Sequence, residues 1–168
     1  NWGVWSDVGM AADALGGGAS DVLPPRAVDA ALLNSMGTDV DGDLVYGADF
    51  DTSHWLLDQH RTKDNQAVMP GTGYIELLAE TAQEQGFENG FTIQDLYFLR
   101  AMPVAENTTR QMQLNLQREG DGFSVEMRSD CVLNGKAGWQ LHAQAQLFPI
   151  TGQRPDPIDL DAIVVSCE

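Results

Sequence analysis

His60 stands ten residues before the pair Pro70-Gly71, within the run HWLLDQHRTKDNQAVMPGTGYIELL that spans residues 54–78. An imidazole can take or give a proton at neutral pH. The Pro-Gly pair opens an apolar stretch with helical spacing. A helix N-terminus presents unpaired backbone N–H groups and a partial positive charge, so it can hold a carbonyl oxygen or an enolate. A proton carrier aimed at an oxyanion holder is the minimum for chemistry beside a thioester.

Other residues of chemical type read more plainly. His54 precedes Trp55 and reads as a packing or surface residue, and His142 falls on the polar face of its strand and reads as solvated. Tyr74 carries a phenol, but its helical spacing makes it a core residue first. The acidic run from Asp39 to Asp43 looks like a calcium loop but fails that test. Leu44 stands where the loop needs Gly, and no Glu closes it, so an acidic turn is expected. Cys131 and Cys167 lie far apart with no CxxC spacing, which points to neither zinc nor a redox pair. Two free thiols suit a reducing cytoplasm.

The elements that must position His60 and Gly71 are legible in the pattern. The expected helix runs from Gly71 to Gln85, with Tyr74, Ile75, Leu77, Leu78 and Ala82 on a wide apolar face and Gly86 at the C′ position. Strict alternation follows. Met112, Leu114 and Leu116 alternate with Gln113, Asn115 and Gln117, and Phe123, Val125 and Met127 alternate with Ser124, Glu126 and Arg128. Trp139, Leu141, Ala143, Ala145 and Leu147 alternate with Gln140, His142, Gln144 and Gln146. Period-two patterning predicts antiparallel strands with one wet face. Glu119 to Gly122 reads as a hairpin turn, and Thr92 to Leu99 as a further strand. One enclosed helix and an antiparallel meander together predict an α+β hotdog, a sheet wrapped around a helix. The small Ala143 and Ala145 would let that helix approach closely.

The 168 residues suffice for one domain with a real core, and a hydrophobic content of 43% is ordinary for a globular protein. No apolar run nears the ~20 residues needed to span a membrane. No signal-peptide pattern is visible. The chain begins at Asn1 rather than Met and reads as a piece of something longer. A formal net charge of −16 argues against nucleic acid and anionic membrane as partners.

The run HRTKDNQAVMPGTGYIELL from His60 resembles the N-terminal half of a polyketide synthase dehydratase domain, whose motif is His-x-x-x-Gly-x-x-x-x-Pro followed by Gly-Thr and the central helix. WQLHAQAQL, residues 139–147, is similar to the last strand of that half. The resemblance covers residues 54–150. Two features depart from the motif: Asp64 and Asn65 stand where it has Gly, and the His-to-Pro interval is one residue longer. Asp and Asn tolerate left-handed backbone, so a turn can survive there. The resemblance implies that His60 is the catalytic base and takes the α-proton of a 3-hydroxyacyl thioester on an acyl carrier protein. It implies substrate contacts at Met69, Pro70, Gly71 and Thr72, with small first-turn residues leaving room for pantetheine. The partner acid would come from a second hotdog half, since Asp58 matches no family role. No cofactor or metal is implied for this part.

The first segment resembles something else. NWGVWSDVGMA at 1–11, PPRAVDAALLNSMG at 24–37 and LVYGADFD at 44–51 look like the closing part of an α/β polyketide ketoreductase, its late helix and its last strand. Arg26 to Met36 has helical composition in its own right, with Ala27, Ala30, Ala31 and Leu33 on helical spacing, so a helix is expected there. No GxGxxG occurs, so NADPH binding is not expected. IDLDAIVVSCE, residues 158–168, resembles the entry into a second hotdog half. The expected organisation is a ketoreductase tail over 1–53, a dehydratase hotdog over 54–150 and a linker over 151–168. The implied protein is a cytoplasmic polyketide synthase with neighbouring domains. Two alternatives stay open. One is a degenerate, non-catalytic dehydratase-like module that holds its neighbours together. The other is a thioesterase or hydratase that completes its site by homodimerising.

Overall fold

A computed structural model describes residues 26–39 and 41–152. Its strands are β1 (Arg26–Ala27), β2 (Ser35–Thr38), β3 (Leu44–Phe50), β4 (Ala67–Val68), β5 (Phe91–Phe98), β6 (Pro103–Val104), β7 (Arg110–Glu119), β8 (Gly122–Leu133) and β9 (Lys136–Pro149). The helices are α1 (Trp55–Asp58) and α2 (Gly71–Glu84). Seven strands form one sheet in the order β1-β2-β3-β7-β8-β9-β5, and β4 pairs separately with β6. Every pairing is antiparallel.

The sheet's apolar face closes over α2, as a hotdog requires. Met112, Leu114 and Leu116 of β7, Phe123, Val125 and Met127 of β8, and Ala143, Ala145 and Leu147 of β9 are all buried, and so are Tyr74, Leu77, Leu78 and Ala82 of α2. The predicted helix stop holds. Gly86 takes a left-handed φ of 75°, and the Phe87 N–H reaches the Ala82 carbonyl at 3.0 Å in a Schellman closure. The two hairpins turn through Gly120-Asp121 and Asn134-Gly135, with positive φ at Gly120, Asn134 and Gly135. The acidic run forms the expected turn, where the Asp39 carboxylate accepts from the N–H groups of Asp41 and Asp43.

Three expectations need correction. Arg26 to Met36 is not a helix, because its backbone is used elsewhere. Both oxygens of Glu80, a residue of α2, accept the Leu32 N–H at 2.9 and 3.1 Å, and one also accepts the Leu33 N–H at 2.8 Å. Val28 N–H closes the loop on the Asn34 carbonyl. Val28, Leu32 and Leu33 are buried while Ala27 and Ala31 are exposed, so the segment is a core-packed loop and the alanine spacing marks no helix face.

The folded sheet also does not begin at residue 54. All of β3, within LVYGADFD, pairs residue by residue with β7, from Leu44 opposite Leu116 to Phe50 opposite Arg110. Tyr46 and Phe50 are fully buried in the hotdog core. The ketoreductase-like stretch 1–11 and the stretch from 158 lie outside the described residues.

The third correction concerns His142, which is buried rather than solvated, with 1% of its surface exposed. A bulge interrupts the β8–β9 pairing: Met127 faces Ala143 and Arg128 faces Leu141, leaving His142 unpaired. One extra residue in a strand exchanges its two faces from that point on. Gln140 then lies opposite the buried Ser129, while Trp139 and Leu141 lie opposite Asp130 and Arg128 on the outer side.

Candidate active site

The site is built around the start of α2. Pro70 is its N-cap with extended backbone (φ −71°, ψ 153°), contributes no side-chain cap, and no acidic residue stands in the first turn. The first N–H groups of the helix, at Gly71 and Thr72, therefore keep their partial positive charge unanswered by a side chain. Gly71 and Thr72 are exposed, whereas Met69 and Pro70 are buried. A Cβ at Gly73 would meet the Met69 sulfur at 2.5 Å and a Leu56 methyl at 2.8 Å, so the glycine lets the first turn seat against both. Met69 is thus a floor under the helix start.

His60 reaches this place through its backbone. Its N–H donates to the Leu57 carbonyl at 3.0 Å and its carbonyl accepts the Val68 N–H at 3.1 Å. Val68 belongs to β4, which leads within two residues into the helix cap at Pro70. Arg61 bridges to Ala67, and β4 is backed by β6. The histidine is exposed, and among the described residues its imidazole has no hydrogen-bond partner. The turn beyond it absorbs the longer interval. Thr62 N–H donates to the Gln66 carbonyl and Asn65 N–H to the Thr62 carbonyl, both at 2.9 Å. Asn65 adopts φ 61°, a left-handed conformation that Gly takes without strain and Asn tolerates. From Asn65 to Pro70 the interval equals the motif's Gly-to-Pro interval, so the extra residue lies before the turn.

Phe98 forms the wall beside the helix start. Its ring edge is 3.3 Å from where a Gly71 Cβ would stand, and its centroid is 5.6 Å from that of Tyr74. Tyr97, Phe98 and Leu99, on or just past the edge strand β5, are about half exposed, and Ile75 of α2 adds to the same apolar character. The Tyr74 hydroxyl is buried with no hydrogen-bond partner, and burial raises its pKa well above the ordinary phenol value. Tyr74 is a core residue, as its spacing predicts.

The Asp58 carboxylate accepts from the Gln59 amide at 2.8 Å and, among the described residues, makes no hydrogen bond to His60. His54 caps α1, with Nδ1 accepting the Leu56 N–H at 3.3 Å and its ring edge-on to Phe50 at 5.2 Å. Both roles match a packing residue. Among the described residues, no group of three His, Cys, Asp or Glu side chains could hold a metal ion.

Sequence reasoning missed what sits behind the wall. Leu99 and Arg100 donate their N–H groups to the His142 carbonyl at 2.8 and 3.2 Å. The His142 ring lies 3.1 Å through Nδ1 from the Arg100 carbonyl and 2.8 Å through Nε2 from the Ser129 hydroxyl. A carbonyl can only accept, so Nδ1 carries the proton and Ser129 donates to Nε2. The histidine thus holds the backbone of Leu99 and Arg100, and two residues on, the Met102 carbonyl accepts the Met69 N–H at 3.0 Å.

Desolvation pulls the His142 pKa below the ordinary imidazole value, outweighing the opposing hydrogen bond to the Arg100 carbonyl. The unfolded chain therefore takes up this proton first as pH falls. Its contribution to stability is full above about 6.5 and is lost as pH drops from there toward the lower folded-state value. Urea midpoints measured between about pH 8 and about pH 5 should decline on the acid side. His142→Gln should be less stable at neutral pH and decline less steeply. An equal acid-side slope in both proteins would show that His142 is not the titrating group.

The comparisons agree with this architecture. The family model of the polyketide synthase dehydratase domain matches residues 31–130. Among curated proteins none matches. The dehydratase domain from the CurJ module of curacin polyketide synthase superposes with a TM-score of 0.66 at 23% identity, covering 80% of this chain and 46% of that one. The dehydratase domain from the terminal module of the rifamycin polyketide synthase gives 0.65 at 25%, covering 83% and 50%. The bifunctional dehydratase-cyclase domain in ambruticin biosynthesis gives 0.62 at 19%, covering 78% and 48%. The chain spans about half the length of these structures. Matched by the family model over more than half of its own length, the chain belongs to the polyketide synthase dehydratase domain family.

Proposed function

We propose that the chain is the N-terminal hotdog half of a dehydratase that removes water from a 3-hydroxyacyl thioester carried on an acyl carrier protein. His60 takes the proton from C2. The N–H groups at Gly71 and Thr72 hold the thioester oxygen as charge develops on it. The C3–O bond breaks, its oxygen leaves as water after protonation by an acid from the second half, and the C2–C3 double bond forms. Met69 and Pro70 shape the floor on which the thioester lies. The reading asks for no cofactor beyond the carrier's phosphopantetheine, and it places the protein in a cytoplasmic synthase among neighbouring domains.

The observation that carries this reading is the antiparallel pairing of His60 with Val68, two residues before the cap of α2. It ties the His60 backbone to the strand leading into a helix whose first turn holds no acidic side chain, which supports a proton carrier working at that helix end. The exposed apolar residues Tyr97, Phe98 and Leu99 on and beside edge strand β5 suit a second hotdog half docked there. The left-handed Asn65 weighs against a degenerate loop.

The test is turnover by the complete domain, offered 3-hydroxyacyl carrier-protein thioesters of several chain lengths and followed by mass spectrometry. The enoyl thioester is the expected product. Release of free acid would overturn the reading in favour of a hotdog thioesterase. A folded domain that leaves every substrate unchanged would overturn it in favour of a structural module.

A further inference from the structure

We infer that Arg61 is a positioning residue for the proton transfer assigned to His60, acting with Glu106 and Thr52 to set the loop that carries the imidazole. The inference rests on the role proposed for His60. The Arg61 guanidinium bonds to three groups and, through one of them, reaches a fourth. Nε donates to the Asp58 carbonyl at 3.2 Å, and one terminal nitrogen donates to the Asn65 carbonyl at 3.0 Å and to Glu106 Oε1 at 2.6 Å. The second oxygen of Glu106 accepts the Thr52 hydroxyl at 2.9 Å. The two carbonyls flank His60 in the chain, one before it at the end of α1 and one after it at the turn. The carboxylate comes from the loop after β6, which is fixed to β4 through that strand's pairing. The guanidinium hydrogen bond draws the Glu106 carboxyl below its usual range, with the Thr52 hydroxyl adding to the effect.

The geometry separates positioning from simple stability. Neighbouring side chains on an extended backbone point to opposite sides, so the guanidinium lies away from the imidazole and acts through the main chain. The Arg61 side chain is 22% exposed and that of Glu106 is 58% exposed. Water can replace these bonds when they are lost, so an exposed ion pair of this kind adds little to folding stability. The loop's placement is another matter. His60 sits in a stretch one residue longer than the family motif, and the planar fork of Arg61 spans both carbonyls at once, which a lysine ammonium on a flexible stem cannot reproduce. A displacement of ~1 Å at a reacting group can cost ~10²-fold in rate.

The experiment uses the complete dehydratase domain with a 3-hydroxyacyl carrier-protein thioester. Arg61→Ala should lower kcat by ~10- to 100-fold while KM stays within ~3-fold, with little change in unfolding midpoint. Arg61→Lys should restore only a small part of the loss, and Glu106→Gln should fall between. In a His60→Ala background, Arg61→Ala should add less than ~2-fold, because the effect passes through the imidazole. A kcat for Arg61→Ala within ~2-fold of wild type would overturn the inference. So would a full multiplicative loss in the His60→Ala background. If His60→Ala itself leaves turnover intact, the role of His60 fails separately, and amide hydrogen exchange decides the clamp. Arg61→Ala should then speed exchange at Thr62 and Val68 but not in the middle of α2, and unchanged exchange at those two amides would overturn it.

Discussion

His60→Ala is expected to lower turnover of a 3-hydroxyacyl carrier-protein thioester by the complete domain by ~10²- to 10⁴-fold, the usual contribution of a positioned acid–base group. The loss should appear in kcat with the fold intact. The side chain is exposed, and the bonds that hold the residue, to the Leu57 carbonyl and from the Val68 N–H, are main-chain bonds that alanine keeps. No buried cavity and no stranded polar partner results, so the usual sources of large destabilisation are missing. The helix N-terminus at Gly71 and Thr72 also survives the change, so substrate binding and oxyanion stabilisation should persist. Removing one donor of that kind elsewhere costs ~10²- to 10³-fold. The residual activity of His60→Ala would therefore measure what the helix end and the second half do without the base. A variant with unchanged circular dichroism and a kcat within ~10-fold of wild type would show that His60 is not the base.

The pattern of residues reveals the sheet and central helix because both rest on local periodicity. The alternation in β7 and β8 and the wide apolar face of α2 need no knowledge of partners, and Gly86 ends the helix by its own backbone freedom. The misread elements depend on distant groups. Arg26 to Met36 has helical spacing, but a carboxylate nearly fifty residues away takes the N–H groups that a helix would use. His142 sits on a regular alternation from Trp139 to Leu147, and alternation cannot show that one residue is extra. The bulge is fixed by the partner strand and by the Ser129 hydroxyl that receives the ring. The site divides the same way. His60 and Pro70-Gly71 are close in sequence and legible as a motif. The clamp joins Arg61 to Glu106 across 45 positions, and the wall at Phe98 comes from an edge strand. Neither leaves a local mark.

Glu80→Ala should destabilise the full chain by about 2–6 kcal/mol, since it leaves two buried N–H donors without acceptors and each unmade bond costs about 1–3 kcal/mol. Glu80 is 5% exposed on the central helix, and its oxygens make all three contacts to Leu32 and Leu33 within 3.1 Å. Leu33, Leu32 and Val28 are buried where this loop meets the core, so the carboxylate fastens the segment leading into β2 onto α2. Glu80→Gln should lose less, since its amide oxygen can still accept where one carboxylate oxygen did, but its NH₂ group then faces a backbone donor. Glu84→Ala is the control one turn later. Its partner Arg26 is mostly exposed at 3.2 Å, and such a pair contributes at most about 1 kcal/mol. Chemical or thermal unfolding of the three variants measures the differences, with about 2–4 °C of midpoint shift per kcal/mol for a chain of this size. The outcome also bears on where the hotdog begins. If residues 26–50 were only the tail of a neighbouring domain, Glu80→Ala would leave the unfolding of the sheet and of α2 unchanged. A loss of more than about 2 kcal/mol, with faster exchange at the Leu32 and Leu33 amides, makes the loop a structural part of the hotdog itself.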